Sequence, residues 1–265
     1  MTDNNPVDVI NRETMRLVAH EYAYSDTLTK PEQSALASVI DEIRHKRILD
    51  IGVGGGRTVK ALREISDDYI GIDYVQKMVD HCRRRFPGVR FEKADARSMP
   101  QFEDRSFDLV VFACNGICMV DHEGRIAILK EVRRVLRPGG VFIFSTYNQH
   151  SRAHDEFFVL PEWRKTGNPL RFTVRAIRFL FHLANRLFNR TRYKRYEIRN
   201  ADYSIINDRC HDYRTMLYYI TLEKQRKQLQ ALGFQSNPRG YDLSGKVVGG
   251  DTPDDSITFV TRVSQ

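Results

Sequence analysis

The stretch Arg47-Ile48-Leu49-Asp50-Ile51-Gly52-Val53-Gly54-Gly55-Gly56-Arg57-Thr58 decides the fold of this chain. An apolar segment carries one acid, Asp50, and runs straight into glycines, after which helical periodicity begins. Glycine lacks a Cβ, so it permits both a sharp turn and a close approach of the backbone to a ligand. The pattern predicts a buried parallel strand, a loop and a helix that together bind a nucleotide-type cofactor.

The spacing of the glycines separates classes of cofactor. A dinucleotide fingerprint, G-x-G-x-x-G, would need its third glycine at position 57, which is Arg57. Gly52, Gly54 and Gly56 instead follow G-x-G-x-G, and with Asp50 they resemble the first motif of class I S-adenosylmethionine (SAM) dependent methyltransferases. The resemblance implies that SAM is the cofactor, that S-adenosylhomocysteine is the product, and that the glycine loop passes under the amino-acid moiety of SAM.

A second acid follows about 20 residues after the glycines, the distance at which a ribose ligand is expected. The segment 69–74 is a short apolar strand that ends in Asp73, which we predict to accept hydrogen bonds from the ribose diol. Tyr74 and Met78 follow directly and could pack on the ribose and the adenine. The alternative is that both belong to the core, which we favour slightly for Met78.

The remaining motifs occur in the order that the family implies. A third strand, 89–97, ends on Asp95 and Ala96, which would lie against the adenine, with Asp95 accepting from its exocyclic amine. A fourth strand, 106–115, ends on Ala113, Cys114 and Asn115, which should line the methionine moiety. A helix end and turn at 133–140 precede the fifth strand, 141–145. Taken singly, Asp50 and Asp73 could merely cap turns; together, acids at the ends of successive strands favour a ligand site.

The alternation of strands and helices from Ile48 to Ser145 predicts an α/β fold: a three-layer, doubly wound, mostly parallel seven-stranded sheet of the Rossmann-like methyltransferase type. Helical patterns occur at 8–24 and 31–45. The family resemblance implies that residues 1–45 form an N-terminal helical cover over the cofactor, from which Tyr24 would reach the methionine carboxylate. The alternation stops after the fifth strand for roughly 75 residues, far longer than an ordinary connection. We therefore expect a single domain, 1–265, with a basic helical insertion at 149–220 that acts as a lid for the acceptor.

The chain resumes the pattern at Thr221. A helix is predicted at 222–232, ending at Gly233, and strands at 234–243 and 256–263. The family resemblance implies that these last two strands form a hairpin that reverses the seventh strand.

Charge is concentrated in the insertion. The net charge is +8, yet residues 161–200 hold 11 basic residues and only 2 acids, and the rest of the chain is nearly neutral. The four cysteines form no C-x-x-C pair, so we expect reduced thiols, a cytoplasmic location, and neither a metal site nor a disulfide framework. The amino terminus lacks an apolar signal core, and no stretch is long enough to span a membrane.

One helix of the insertion is strongly patterned. Arg171, Arg175, Arg178, His182 and Arg186 form a narrow stripe, and large apolar residues cover most of the remaining surface. We expect the helix to bury its wide apolar face against the sheet edge as a lid, with a membrane surface or an apolar partner as alternatives, so that peripheral membrane contact through 170–195 stays open. The arginines are either a solvated face or a contact for an anionic acceptor.

Sulfonium methyl transfer needs mainly alignment of the reactants, and a base only where the acceptor must lose a proton. Among candidate histidines, His122, His150, His154 and His211, we choose His211, which has Asp212 beside it. The predicted activity is transfer of a methyl group to an O or N atom of a small metabolite, saccharide or lipid-like acceptor. The alternatives are an RNA methyltransferase, which the absence of an N-P-P-[YF] tetrapeptide and of a Pro-Cys pair disfavours, and a SAM-binding regulatory protein. The oligomeric state is left open.

Overall fold

The computed structural model describes residues 5–18, 26–156, 158–163 and 166–264. Within these ranges the helices are α1 Pro6–Val18, α2 Lys30–Ala37, α3 Ile40–Ile43, α4 Val59–Ile65, α5 Gln76–Arg85, α6 His122–Val135, α7 Arg152–Asp155, α8 Pro169–Tyr193 and α9 Leu222–Ala231. The strands are β1 Ile48–Ile51, β2 Tyr69–Asp73, β3 Arg90–Lys93, β4 Phe107–Phe112, β5 Leu136–Asn148, β6 Ile198–Arg199, β7 Ser204–Asp208, β8 Thr215–Ile220, β9 Arg239–Tyr241, β10 Val247–Val248 and β11 Ser256–Arg262.

The central sheet has the order β10-β9-β11-β5-β4-β1-β2-β3. Strands β3, β2, β1, β4 and β5 pair in parallel, whereas β11 is antiparallel to both β5 and β9. The predicted seven-stranded, mostly parallel sheet with a reversed last strand is therefore confirmed in the path from β3 to β9. Because the chain crosses over between β3 and β4, the carboxyl ends of β1 and β4 open a crevice at the reversal of strand order.

Strand β5 is longer than its sequence pattern predicts. It was expected at 141–145 but runs from Leu136 to Asn148, and its register against β4 shifts between Phe107 and Leu109, across the Gly139-Gly140 turn. At its far end, Tyr147 and Asn148 project beyond β4 and pair with β8. This extension of β5 adds β8 to the sheet beyond the end of β4.

The sequence predicted a helical insertion after β5, but the insertion is only partly helical. It contains the long helix α8, but also β6, β7 and β8, which form an antiparallel set attached to the end of β5. All six residues of β8 and all five of β7 are buried, so these strands are part of the main sheet rather than a separate flap. The continuous apolar run of β8 is typical of a buried strand. It was not predicted as one, because it lies in the long segment where the alternation of strands and helices stops.

The N-terminal cover also differs in detail. The helix predicted at 8–24 is α1, which ends at Val18, and its remainder lies outside the described residues. The helix predicted at 31–45 is divided into α2 and α3 by a turn at Ser38 and Val39. Helix α1 is anchored by Asn11, whose amide donates to the carbonyls of Met119 and Met216 (2.8 and 2.7 Å) and accepts from the Met216 N–H (2.8 Å).

The core lies in two apolar layers, one on each face of the sheet. Because side chains alternate along a strand, Leu49 and Ile51 point into one layer and Ile48 into the other. Helices α1, α6 and α9 cover the first layer, and α2, α4 and α5 cover the second. In the described part of the chain, no helix is both long and apolar enough to cross a membrane.

Candidate active site

The glycine loop has the backbone that its sequence predicts. Gly52, Gly54 and Gly56 all have positive φ (67°, 53° and 86°), a region that residues with a Cβ rarely adopt. A Cβ on Gly52 would stand 2.8 Å from the Phe112 ring, and one on Gly56 would stand 2.5 Å from the Phe86 ring. At Gly54 the space is open, with the nearest atom at 3.9 Å. The loop therefore leaves its central backbone exposed to a ligand.

Asp73 holds the loop and faces the same cavity. Its Oδ2 accepts from the Gly54 N–H (3.0 Å) and its Oδ1 from the Val75 N–H (2.8 Å). The carboxyl group is only 6% exposed, and burial raises its pKa to about 6 against the opposing effect of these backbone donors. An acid so placed keeps lone pairs for a hydroxyl donor, as the ribose prediction requires.

Two predicted cofactor contacts do not line the cavity. Asp50 points to the other side of β1, where Thr58 Oγ1 (2.5 Å) and the Tyr69 hydroxyl (2.8 Å) both donate to its Oδ2. Gly56 lies behind the loop, against Phe86. The physical reason for the Asp50 correction is the two-residue alternation of the strand, which turns Asp50 to the same side as Ile48. Both residues shape the loop from behind.

The end of the cavity that we predicted to hold the adenine contains more charged side chains than the sequence suggested. Tyr74, Met78, Asp95 and Ala96 line the cavity. The Asp95 carboxylate is held by the Arg97 guanidinium (2.6 Å to the nearer nitrogen), and although partial burial acts to raise its pKa, this ion pair lowers the pKa overall. Arg97 also pairs with Asp8 of α1.

The predicted methionine end is formed by the residues that follow β4. Ala113, Cys114 and Asn115 all line the cavity, and the last two have left-handed backbones (φ 54° and 56°). Such consecutive strain in residues that carry a Cβ is typical of functional loops. Among the described residues, the buried Oδ1 of Asn115 has no hydrogen-bond partner, an acceptor that a ligand ammonium would satisfy.

A buried ion pair that the sequence did not predict closes this end. Arg57, which interrupts the dinucleotide spacing, makes two 2.6 Å contacts to Glu32 of α2 and lines the cavity. Burial acts to raise the pKa of Glu32, but the Arg57 contacts lower it overall. Tyr24, the predicted ligand of the methionine carboxylate, lies outside the described residues.

The glycine loop, Asp73, the residues around Asp95 and those that follow β4 line one cavity of about 360 Å³. The remaining lining residues, which we call the second half of the cavity, are mainly large apolar and aromatic side chains, with few charged groups. The members of this half are Arg12 and Met15 of α1, Met119 and Val120 after β4, Tyr147 of β5, and Cys210, His211, Thr215 and Leu217 of the insertion.

His211 is the only histidine of the described residues that lines the cavity. It begins three consecutive left-handed residues, His211, Asp212 and Tyr213 (φ 49°, 55° and 62°). This strained turn is fixed from outside, because Asn189 donates to the Asp212 carbonyl (2.8 Å) and Asn207 to the Tyr213 carbonyl (2.8 Å). Rigid placement at a site is the usual role of such strain.

The acid beside His211 does not orient it. The Asp212 carboxylate is turned toward α8, where His182 (2.5 Å) and Arg186 (2.8 Å) hold it, and these two partners lower its pKa although burial acts to raise it. The premise that the neighbouring acid supports His211 is therefore wrong. Sequence adjacency did not show the direction of the side chain in a turn of left-handed residues.

The arginine stripe of α8 was predicted to be either solvated or in contact with the acceptor. Arg171, Arg175 and Arg178 do not line the cavity, and Arg186 faces the protein instead of solvent. The apolar face, which was expected to be buried as a lid, is exposed. The insertion contributes to the site through β8 and the turn at Cys210–Asp212.

Sequence reasoning predicted an N-terminal cover but not the residues of α1 that line the cavity. Asp8, Arg12 and Met15 recur at spacings of four and three, so they lie on one helical face, but nothing in the sequence indicated that this face meets the cavity. The bidentate Arg57–Glu32 pair was partly foreseeable, because Thr29 and Glu32 form a capping box that fixes the start of α2.

Comparison with known proteins shows which proteins this chain is similar to. Residues 48–140, from β1 to the turn inside β5, match the model of a methyltransferase domain. Over 136 residues the chain is 34% identical to phthiotriol/phenolphthiotriol dimycocerosates methyltransferase 1 of Mycobacterium ulcerans, covering 49% of this chain and 46% of that protein. It is 31% identical over 145 residues to the fatty-acid O-methyltransferase of Mycolicibacterium smegmatis (52% and 49% covered). The matched part spans about half the length of these curated relatives.

Solved structures share the fold over nearly the whole chain. A SAM-dependent methyltransferase from Clostridium acetobutylicum superposes with a TM-score of 0.61 at 14% identity, covering 98% of this chain and 100% of that one. The 1,6-didemethyltoxoflavin-N1-methyltransferase of Burkholderia thailandensis, solved with S-adenosylhomocysteine, gives a TM-score of 0.60 at 11% identity (100% and 92% covered). At these identities the likeness concerns the fold alone. Residues 48–140, which match the methyltransferase model, also carry the ordered strand-end motifs, so this chain is similar to class I SAM-dependent methyltransferases over that stretch.

Proposed function

We propose that this protein transfers a methyl group from SAM to an O or N atom of a lipid-like small molecule. The observation that carries the proposal is the division of one cavity into two halves. One half has the glycine loop, Asp73 and the strained end of β4, and the other is mainly apolar. SAM supplies a methyl group on a sulfonium, a leaving group that is already activated. The protein then has to bind and align its two substrates.

The residues present fit this cofactor. Asp73 is a buried acceptor for a ribose diol, Asn115 offers an unpartnered carbonyl oxygen to the ammonium, and Ala96 and Met78 give an apolar surface for an adenine. Asp95 would accept from the exocyclic amine with the lone pairs that Arg97 leaves. Arg57 places a cation beside Cys114, where a methionine carboxylate would need one.

The acceptor half favours an apolar substrate over a sugar or a base. Met15, Met119 and Leu217 offer mainly dispersion contacts, and Tyr147 beside them is half-buried. Both curated relatives described above are named for lipid substrates. An anionic group on the acceptor would meet Arg12. His211 would accept a proton from a hydroxyl or protonated amine and hand it to solvent.

The test is a transfer assay with SAM labelled in its methyl group. Long-chain fatty acids, phenolic lipids, polar metabolites and RNA are offered separately, and label is counted in each product. We expect incorporation in the lipid fractions. Label only in RNA, with affinity falling steeply as salt rises, would favour the nucleic-acid alternative instead. SAM binding by calorimetry without transfer to any pool would favour a regulatory role, and no binding at millimolar SAM would refute the proposal.

The location of the protein is part of the proposal. The four cysteines form no C-x-x-C pair in the sequence, which favours a reducing compartment. A cytoplasmic location remains a prediction, which fractionation of cells with an antibody to this chain would test.

A further inference from the structure

Helix α8 presents its apolar face to solvent. Its outer stripe, which we define as Leu170, Val174, Ile177, Phe181, Ala184 and Phe188, follows spacings of four and three residues and contains no charge. Ile177 is 63% exposed and Phe181 62%, and every other member of the stripe is exposed as well. Leu180 and Leu187, also exposed, widen the same face. An exposed apolar patch of this extent is typical of an interaction surface.

The protein itself fixes this orientation. The opposite face of α8 carries the polar anchors: Arg186 donates to Asp212 (2.8 Å) and to the Val159 carbonyl (2.7 Å), and Asn189 donates to the Asp212 carbonyl. Arg190 is buried and pairs with Glu197. Rotating α8 about its axis to bury the apolar stripe would break these contacts. The polar contacts of the opposite face therefore hold the stripe toward solvent.

Basic residues flank the stripe. On the helix, Arg171 and Arg178 follow its members along one edge, and both are exposed. Arg192, Lys194 and Arg195 continue the positive charge beyond its end, all exposed. An apolar stripe with an arginine border is the composition of helices that lie in a bilayer interface.

We propose that α8 docks this protein onto an anionic lipid bilayer, with the outer stripe entering the headgroup and acyl boundary. Charge complementarity selects this occupant. A second copy seated on the stripe would bring two sets of arginines together, and the 161–200 segment carries nine more basic than acidic residues. A single convex helix also forms no groove that would enclose a small ligand.

The docking surface adjoins the proposed acceptor site. Helix α8 holds the Asp212 carboxylate, and the preceding residues Cys210 and His211 line the cavity. A protein docked through α8 therefore has this side of its cavity near the membrane. The consequence, that the acceptor is drawn from the bilayer, rests on the proposed function; the docking itself does not.

The test is co-sedimentation of the full chain with vesicles, without SAM. Vesicles of phosphatidylcholine mixed with phosphatidylglycerol are compared with pure phosphatidylcholine. We expect binding to the anionic vesicles, weakened by salt. Ile177→Glu combined with Phe181→Glu should reduce this binding by about a hundred-fold or more, because two side chains can no longer be buried. Arg171→Gln combined with Arg178→Gln should reduce it by about five-fold for each charge removed.

Val247→Glu is the matched control, because Val247 is as exposed as Ile177 (62%) but lies on β10, away from α8. It should bind vesicles like the unmodified protein. The proposal is overturned if the unmodified protein does not bind anionic vesicles, if the Ile177 and Phe181 variant binds as well as Val247→Glu, or if that variant instead dissociates a dimer seen in sedimentation equilibrium. SAM binding and methyl transfer are measured in separate assays. If the protein neither binds SAM nor transfers a methyl group, the vesicle experiment still tests the docking of α8.

Discussion

Replacing Asp73 by asparagine should weaken SAM binding by on the order of a hundred-fold. The two Asp73 oxygens accept from two different backbone donors, Gly54 N–H and Val75 N–H. An amide has a single acceptor oxygen, so Asp73→Asn leaves one of these donors facing an NH₂ group. Losing a buried acceptor costs about 1 to 3 kcal/mol, and losing the charge toward the ribose hydroxyls costs a further amount of similar size. A total of about 3 kcal/mol corresponds to roughly a hundred-fold in Kd.

Asp50→Asn is the matched control for this measurement. Asp50 is equally buried and its pKa is also raised to about 6 by burial, but both of its donors, Thr58 and Tyr69, address the same oxygen. An asparagine can therefore keep both contacts, and Asp50 does not line the cavity. Isothermal titration calorimetry with SAM and with S-adenosylhomocysteine measures both variants. The reasoning is refuted if Asp73→Asn binds within about three-fold of the unmodified protein, or if Asp50→Asn is the weaker binder.

The same pair predicts opposite pH effects. A ribose diol stabilises the ionised Asp73, so SAM affinity should be constant above about pH 6 and fall by up to ten-fold per unit below it. Asp73→Asn should remove this dependence. For folding, the raised pKa of Asp50 means that its stabilising contribution is present below about pH 4 and is lost as pH rises through 6. At neutral pH Asp50→Asn should therefore raise the free energy of unfolding, by up to about 3 kcal/mol.

Three further substitutions test other parts of the site. Gly52→Ala should lower the melting temperature more than Gly54→Ala. Both substitutions place an alanine at a positive φ, but only the new Cβ at position 52 stands 2.8 Å from a ring. Equal losses in thermal melts would contradict this reasoning. His211→Gln should lower the methyl-transfer rate by about a hundred-fold or more with SAM affinity unchanged, and an unaltered rate would exclude it as the base. Asn11→Ala should destabilise the fold by about 2 to 4 kcal/mol in urea and speed proteolysis of α1, because it leaves three buried backbone groups without partners.

Much of the cofactor half was predictable because it depends on order along the chain. In a parallel sheet the strands end at one edge, so residues that follow successive strands converge without any knowledge of packing. Asp73, Asp95 and Ala113 line one cavity for this reason, and their roles toward the cofactor stay predictions. Asp50 does not line it, since its position one residue inside the strand end turns its side chain to the opposite face of the sheet.

The acceptor half could not be predicted in the same way. Helix α1 and strand β8 lie about 200 residues apart in sequence and meet through Asn11 and the Met216 backbone. Neither α1 nor β8 has a sequence motif that predicts a contact with the other. Local pattern identified α1 as an amphipathic helix, but the surface that it covers depends on contacts at long range.

The glycine loop, the alternation of strands and helices up to β5 and the concentration of charge in one insertion follow from the sequence alone, because each is a local property of composition and spacing. Tertiary structure decided which way the patterned elements face. The periodicity of α8 shows that it has an apolar side, yet only its anchors to Asp212, Val159 and Glu197 turn that side outward. The physical reason is that periodicity describes a helix relative to its own axis, whereas orientation is set by the polar contacts that the rest of the fold provides.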